Sequence, residues 1–323
     1  MKSSRRKARP ASRWMGFLVA ACAALPGFAS AQPADLFYER AVMSAADQRC
    51  GLFAPDVAAA LAAATAQARG AALRAGTSSA ALRQTGRAAE AKAAGADCRS
   101  RDIAIAAARV RSAFSGFARL SRLTYPGDVA GWAAERNLGR TARWQLSQET
   151  SFGADRMIFG LVGRDGPGAL LAVARFADDG EPYAARLVLR DQDRSPRPYL
   201  ARYGGGSTAG LPLAQRLPPP IARKVYVATA RAPAGADLLP KGATSGWAFR
   251  FPDDATVALA DLDPREAVAV EFLFRGDVVR RAYVEVGDFA AGRAFLQVDA
   301  VRPPPSARAA GFPPAGPILA SGR

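Results

Sequence analysis

Tyr125-Pro126-Gly127-Asp128 is the stretch on which the fold turns. Proline sets φ and glycine frees it, so Tyr125-Pro126-Gly127 predicts a turn. Asp128 then predicts the cap of a short helix through Trp132 and Glu135, stopped near Gly139. The hydrophobic pattern differs on the two sides of this turn. Before it, from 34 to about 123, the chain is rich in Ala and poor in Pro and β-branched residues, a helical composition. After it, short alternating runs lie between Gly- and Asp-rich breaks, the signature of strands. The expected fold class is α+β. A helical domain spans 32–123, a linker with a short helix 124–140, and a mainly antiparallel β-rich domain 141–298.

Working outward, four helices are expected near 34–49, 55–76, 78–94 and from 100 to before Pro126. The last has the clearest pattern: Ile103, Val110, Phe114 and Phe117 share one face, and Arg111, Arg119 and Arg122 lie on another. Strands are expected at 142–149, 156–162, 169–176 and 184–190 as an antiparallel meander, then at 224–230 and 246–251. A short helix over 254–262 follows. Next come a hairpin of 267–274 with 278–286 turned at Gly276-Asp277 and a final helix from after Asp288 to near 298. Residues 193–222, with Gly204-Gly205-Gly206 and Pro218-Pro219-Pro220, predict a long exposed loop. The Pro-rich tail 299–323 predicts disorder.

The first 31 residues place the chain. Lys2, Arg5, Arg6, Lys7, Arg9 and Arg13 precede an apolar run over 14–25, and Ala29-Ser30-Ala31 offers small residues for cleavage after Ala31. This is the layout of a secretory signal, too short for a membrane span. Cys22, after Val19-Ala20-Ala21, gives an alternative lipid-anchored reading. Ser4-Arg5-Arg6 gives a twin-arginine variant. No other segment reaches the length of a spanning helix. The expected location is the periplasm, where Cys50 and Cys98 predict one disulfide. It would tie the end of the first helix to the start of the fourth, as suits a small antiparallel bundle. The Ala-rich middle helices bury little area each and are expected to depend on that link.

Composition excludes more than it selects. There is no His in 323 residues, which removes Ser-His-Asp, Cys-His and His-zinc chemistry. The chain holds 44 basic and 28 acidic residues; six of the basic ones and none of the acidic ones lie in the first 31, leaving about +10 for the rest. Such a balance favours anionic envelope partners, namely lipid headgroups, lipopolysaccharide phosphates or acidic wall polymers, while export argues against nucleic acid. Arg111, Arg119 and Arg122 are the candidate contacts. An Arg-rich genome bias accounts for the same charge without any partner.

The remaining motifs dissolve in context. Gly204 to Ala209 formally matches a dinucleotide fingerprint, but Pro212 follows where a helix should begin. Asp191-Gln192-Asp193 opens like a calcium loop but meets Pro196 and Arg202 where Gly and Glu belong. No cofactor and no metal is expected. Trp247, Phe249 and Phe251 alternate along one strand face, a core face or a surface for stacking on sugar rings. Glu149 sits in a segment faintly like that of lytic transglycosylases, without supporting motifs, and Glu39, Glu135, Glu271 and Glu285 are scattered. If the hairpin turns at Gly276-Asp277, Glu271 lies diagonal to Arg280 and forms a surface ion pair.

The segment Leu36-Phe37-Tyr38-Glu39-Arg40-Ala41-Val42-Met43 through Cys50-Gly51-Leu52-Phe53, and more loosely the helical half to Asp128, resembles uncharacterised exported proteins of GC-rich proteobacteria. That resemblance implies export and a structural cysteine pair, and no activity. Residues 255–295 look faintly like the C-terminal part of invasion-associated locus B type proteins, whose cysteines are missing here, so nothing is carried over. The leading expectation is a non-enzymatic envelope protein that binds an anionic or protein partner. The alternative is a His-free, carboxylate-dependent cell-wall hydrolase. A third expectation is strand addition to a partner's sheet edge.

Overall fold

Proline at the first turn and polar caps start the helices where the sequence offers them. A computed structural model describes residues 32–136, 141–164, 168–200, 208 and 210–297. The helices are α1 (Pro33–Cys50), α2 (Pro55–Arg74), α3 (Ser79–Ala94) and α4 (Arg101–Phe114). Ser78 and Ser100 cap α3 and α4 by accepting from the amides of Ala81 and Ile103. Gly51 ends α1 at φ +60, a left-handed stop that glycine takes without strain. The expected disulfide is present: Cys50 and Cys98 are bonded, with Cα atoms 5.7 Å apart. Beside it, Arg49 Nη1 donates to the carbonyls of Ala93, Ala94 and Ala96 at 2.6–2.8 Å and satisfies the open end of α3.

Eleven strands follow among the described residues: β1 (Arg122–Tyr125), β2 (Trp132–Glu135), β3 (Arg143–Phe152), β4 (Asp155–Gly163), β5 (Ala169–Arg175), β6 (Ala184–Arg190), β7 (Arg223–Val227), β8 (Ala230–Pro233), β9 (Trp247–Arg250), β10 (Ala267–Leu273) and β11 (Val279–Glu285). Two helices, α5 (Asp253–Ala260) and α6 (Phe289–Leu296), lie among them. Every pairing is antiparallel. One sheet runs β1-β2-β3-β4-β5-β9-β8, the other β11-β10-β6-β7. The two share one core, in which Phe272 of β10 meets Phe152 and Phe249 of the larger sheet at ring distances of 5.8 and 5.5 Å.

Several expectations need correction. Residues 128–135 form no helix. They make a turn and then β2, because the amides of Asp128, Val129 and Ala130, which would start a helix, all donate to the buried carboxylate of Glu285. The meander ends at β5; β6 crosses to the second sheet and pairs with β10 and β7. The 193–222 segment is not uniformly exposed. Where described, it turns inward at Leu200, Thr208 and Ala222, and Arg216 is fully buried. Glu271 faces Arg281, not Arg280, because Phe274 N–H closes the loop on Val278 and leaves three residues, Arg275 to Asp277, in the turn.

Residues 32–297, helical and β-rich parts together, belong to one compact unit. α6 lies over β1, β2 and β3, and α2 packs on α6. Phe117 meets Phe295 edge to face at 5.4 Å. The cleavage positions Ala29 and Ala31, Cys22, the Gly204-Gly205-Gly206 stretch and the Pro-rich tail lie outside the described residues.

Candidate functional site

The basic run expected as a contact surface is carried by α4 and the chain leaving it. Helical spacing turns Ile103, Ala106, Ala107, Val110 and Phe114 inward, but only Ala107 is fully buried. The opposite face, with Arg101, Ile105, Ala108, Arg109 and Ser112, is exposed. Between 99 and 122 the chain holds six arginines and one carboxylate, Asp102. Among the described residues, the side chains of Arg101, Arg109 and Arg119 have no ion-pair partner. Arg111 Nη1 donates to Leu52 O at 3.1 Å, and Arg122 pairs with Glu135 at 2.7 Å on the surface. Of the three expected contacts, Arg111 therefore lies on α4, Arg119 in a 3₁₀ turn over Phe117–Arg119, and Arg122 on β1. The sequence reading missed Arg101 and Arg109, although both fall on the polar side of the same periodicity.

Trp247, Phe249 and Phe251 do not form an open stripe. Phe249 and Phe251 are fully buried in the shared core. Trp247 is half-buried, and the Arg231 guanidinium lies 3.4 Å over its ring.

Five carboxylates gather in two largely buried clusters, each held by two arginines. Glu285, with no exposure, accepts the three amides of residues 128–130 at 2.7–2.9 Å and lies 3.4 Å from Arg216 Nη1. Arg216 also reaches Asp128 Oδ2 at 3.2 Å and the carbonyls of Thr208 and Leu211. Asp288 pairs with Arg74, and burial pulls its carboxyl above the usual carboxylate range despite that partner. In the second cluster, Glu266 holds Arg190, and its carboxyl is likewise raised by burial. Arg265 is bonded to Asp263. These clusters fasten loops to the sandwich: a buried charge is tolerated when it is paired and hydrogen-bonded. Among the described residues, no three His, Cys, Asp or Glu side chains are placed to hold a metal ion.

An open depression of about 400 Å³ lies between the β3–β4 turn and β11, lined by Ser151, Gly153, Asp155, Arg280, Arg281 and Tyr283. Its cations are engaged. Arg280 bonds Asp155 and Asp178, and Arg281 bonds Glu271. Burial of Glu271 opposes ionisation, yet Arg281 and Arg186 together hold its carboxyl below the usual range. Glu149 is on the surface of β3, paired with Arg156.

No family model, no curated protein and no solved structure matches the chain.

Proposed function

We propose that the chain is an exported periplasmic protein that binds an anionic component of the cell envelope and has a binding rather than a catalytic role. The observation that carries this reading is the arginine run from 99 to 122, six cations against one carboxylate, of which only Arg122 has an ion-pair partner among the described residues. Cations left unpaired on an outlying helix attract phosphate and carboxylate ligands. The oxidised Cys50–Cys98 pair and the signal-like first 31 residues support export, as does the resemblance to exported proteins of GC-rich proteobacteria. A lipid anchor at Cys22 is the alternative mode of attachment to the same compartment.

Co-sedimentation with phosphatidylglycerol vesicles and with purified walls, at low and high salt, tests the proposal. Salt-sensitive pelleting with at least one of them, lost in Arg101→Gln/Arg109→Gln/Arg119→Gln, is the expected result. No salt-sensitive pelleting with either overturns it. The rival hydrolase reading is tested by zymography on peptidoglycan, where clearing would replace the binding role with a catalytic one.

A further inference from the structure

We propose that the free edge of β7 is a docking site for an extended, acidic peptide segment of a partner protein, which adds to the four-stranded sheet as a fifth strand. β7 is the last strand of its sheet and pairs only with β6. The phase of that ladder follows from two flanking bonds: Ala228 N–H donates to Ala185 O, and Asp191 N–H donates to Ala222 O. Lys224 and Tyr226 therefore bond inward to β6, and the N–H and C=O groups of Val225 and Val227 point to the open side. Among the described residues nothing accepts or donates there.

The side chains make the same case. Tyr226 is buried in the core, while Val225 and Val227 are 48% and 60% exposed and Ile221, just before the strand, is 81% exposed. Three large aliphatic residues lie in the open within seven positions, two of them on an unpaired edge. Natural edges are usually blunted by proline, bulges or charge. β8, the edge strand of the other sheet, ends on Pro233 and carries no large aliphatic residue. β7 has neither proline nor a bulge, its ladder with β6 is regular, and the charge it carries is confined to its first two residues, leaving Val225 and Val227 open.

Charge selects the occupant. The strand opens with Arg223 and Lys224, and neither is paired with a carboxylate among the described residues. A strand laid beside them is favoured if it brings Asp or Glu opposite these two and β-branched residues opposite the valines. A second copy of this chain would bring another basic edge, carried by a chain of formal net charge +16.

The test uses the full chain and one defined probe, a fluorescein-labelled capped peptide of sequence Thr-Val-Thr-Val-Glu-Glu-Thr-Gly, which laid antiparallel sets its two Val opposite Val227 and Val225 and its two Glu opposite Lys224 and Arg223. Anisotropy reads binding, and amide hydrogen exchange reads the site. The expected result is saturable binding that slows exchange at Val225 and Val227 and weakens at least about tenfold when Lys replaces Glu in the peptide. Val225→Pro removes only an N–H that faces away from β6, so the ladder survives and the docking is blocked. Val225→Glu/Val227→Glu, at two exposed positions, is the second variant and also weakens binding at least about tenfold. Absence of binding, binding unchanged in both variants, or protection confined to another edge overturns the proposal. So does a peptide-free chain of doubled mass with the same two amides protected, which would assign the edge to a second copy.

Discussion

Arg74 on α2 and Asp288 at the start of α6 lie 214 residues apart and form a two-pronged ion pair, Nη1 to Oδ1 at 2.5 Å and Nη2 to Oδ2 at 2.9 Å. The contact ties the helical part of the chain to the β-rich part. It is made in a place from which water is nearly excluded, with side-chain exposures of 14% and 1%. Replacing one partner strands the other charge, so Asp288→Ala is expected to cost about 3 kcal/mol. Urea denaturation checks it; a loss well under about 1 kcal/mol would mean that the pair does not join the two halves.

Two helical glycines should respond to the same substitution with opposite signs. Gly86 in α3 has open space where a Cβ would be, so Gly86→Ala is expected to stabilise by about 1 kcal/mol. Gly70 in α2 lies against Asp288, and a Cβ there would overlap Asp288 Oδ1 while Arg74 holds that carboxylate in place. Gly70→Ala is expected to destabilise by about 1–3 kcal/mol. Thermal melts of the two variants against the parent give the comparison.

The disulfide should dominate the stability of the helical part. It closes a loop of sequence separation 48, for which the chain-entropy relation gives about 4 kcal/mol. With only Ala107 of α4 fully buried, little else fixes that helix. Cys50→Ser/Cys98→Ser is expected to lower stability by about that amount and to speed amide exchange in α4 before the strands. Equal exchange in α4 and the core strands would count against this account.

Asp178 should titrate in strong acid. Its bond to Arg280 holds its carboxyl down at about 2, against an ordinary value near 4. A depressed carboxyl contributes stability above the unfolded value, and that contribution is lost as pH falls from about 4 to about 2. Carboxyl chemical shifts followed by NMR should show Asp178 ionised at pH 3, and Arg280→Gln should return its midpoint toward about 4.

Much of the fold was legible because local signals agree with it. Ser78, Ser100, Pro55 and Gly51 mark helix ends by short-range chemistry, and α1 to α4 form between them. The hairpin of β10 and β11 turns at Gly276 and Asp277, both at positive φ. What was not legible depends on partners far away in sequence. Asp128 reads as a helix cap until Glu285, 157 residues on, takes its amide. Arg216 sits in a Pro-rich segment that reads as exposed, yet it is buried against Glu285 and Asp128. The candidate surface was half legible. The period of α4 marks which arginines face out, while pairing, which separates Arg122 from Arg119, requires the position of Glu135 on the adjacent strand.

The measurement that bears most directly on the proposed role is the affinity of the full chain and of Arg101→Gln/Arg109→Gln/Arg119→Gln for phosphatidylglycerol vesicles and purified walls, each across a range of salt. A cation near an anionic membrane surface contributes about 1 kcal/mol, so the triple variant should bind vesicles about a hundredfold more weakly or lose its affinity for walls, with a shallower salt dependence in either case. Equal affinity and equal salt dependence for the two proteins on both surfaces would contradict it.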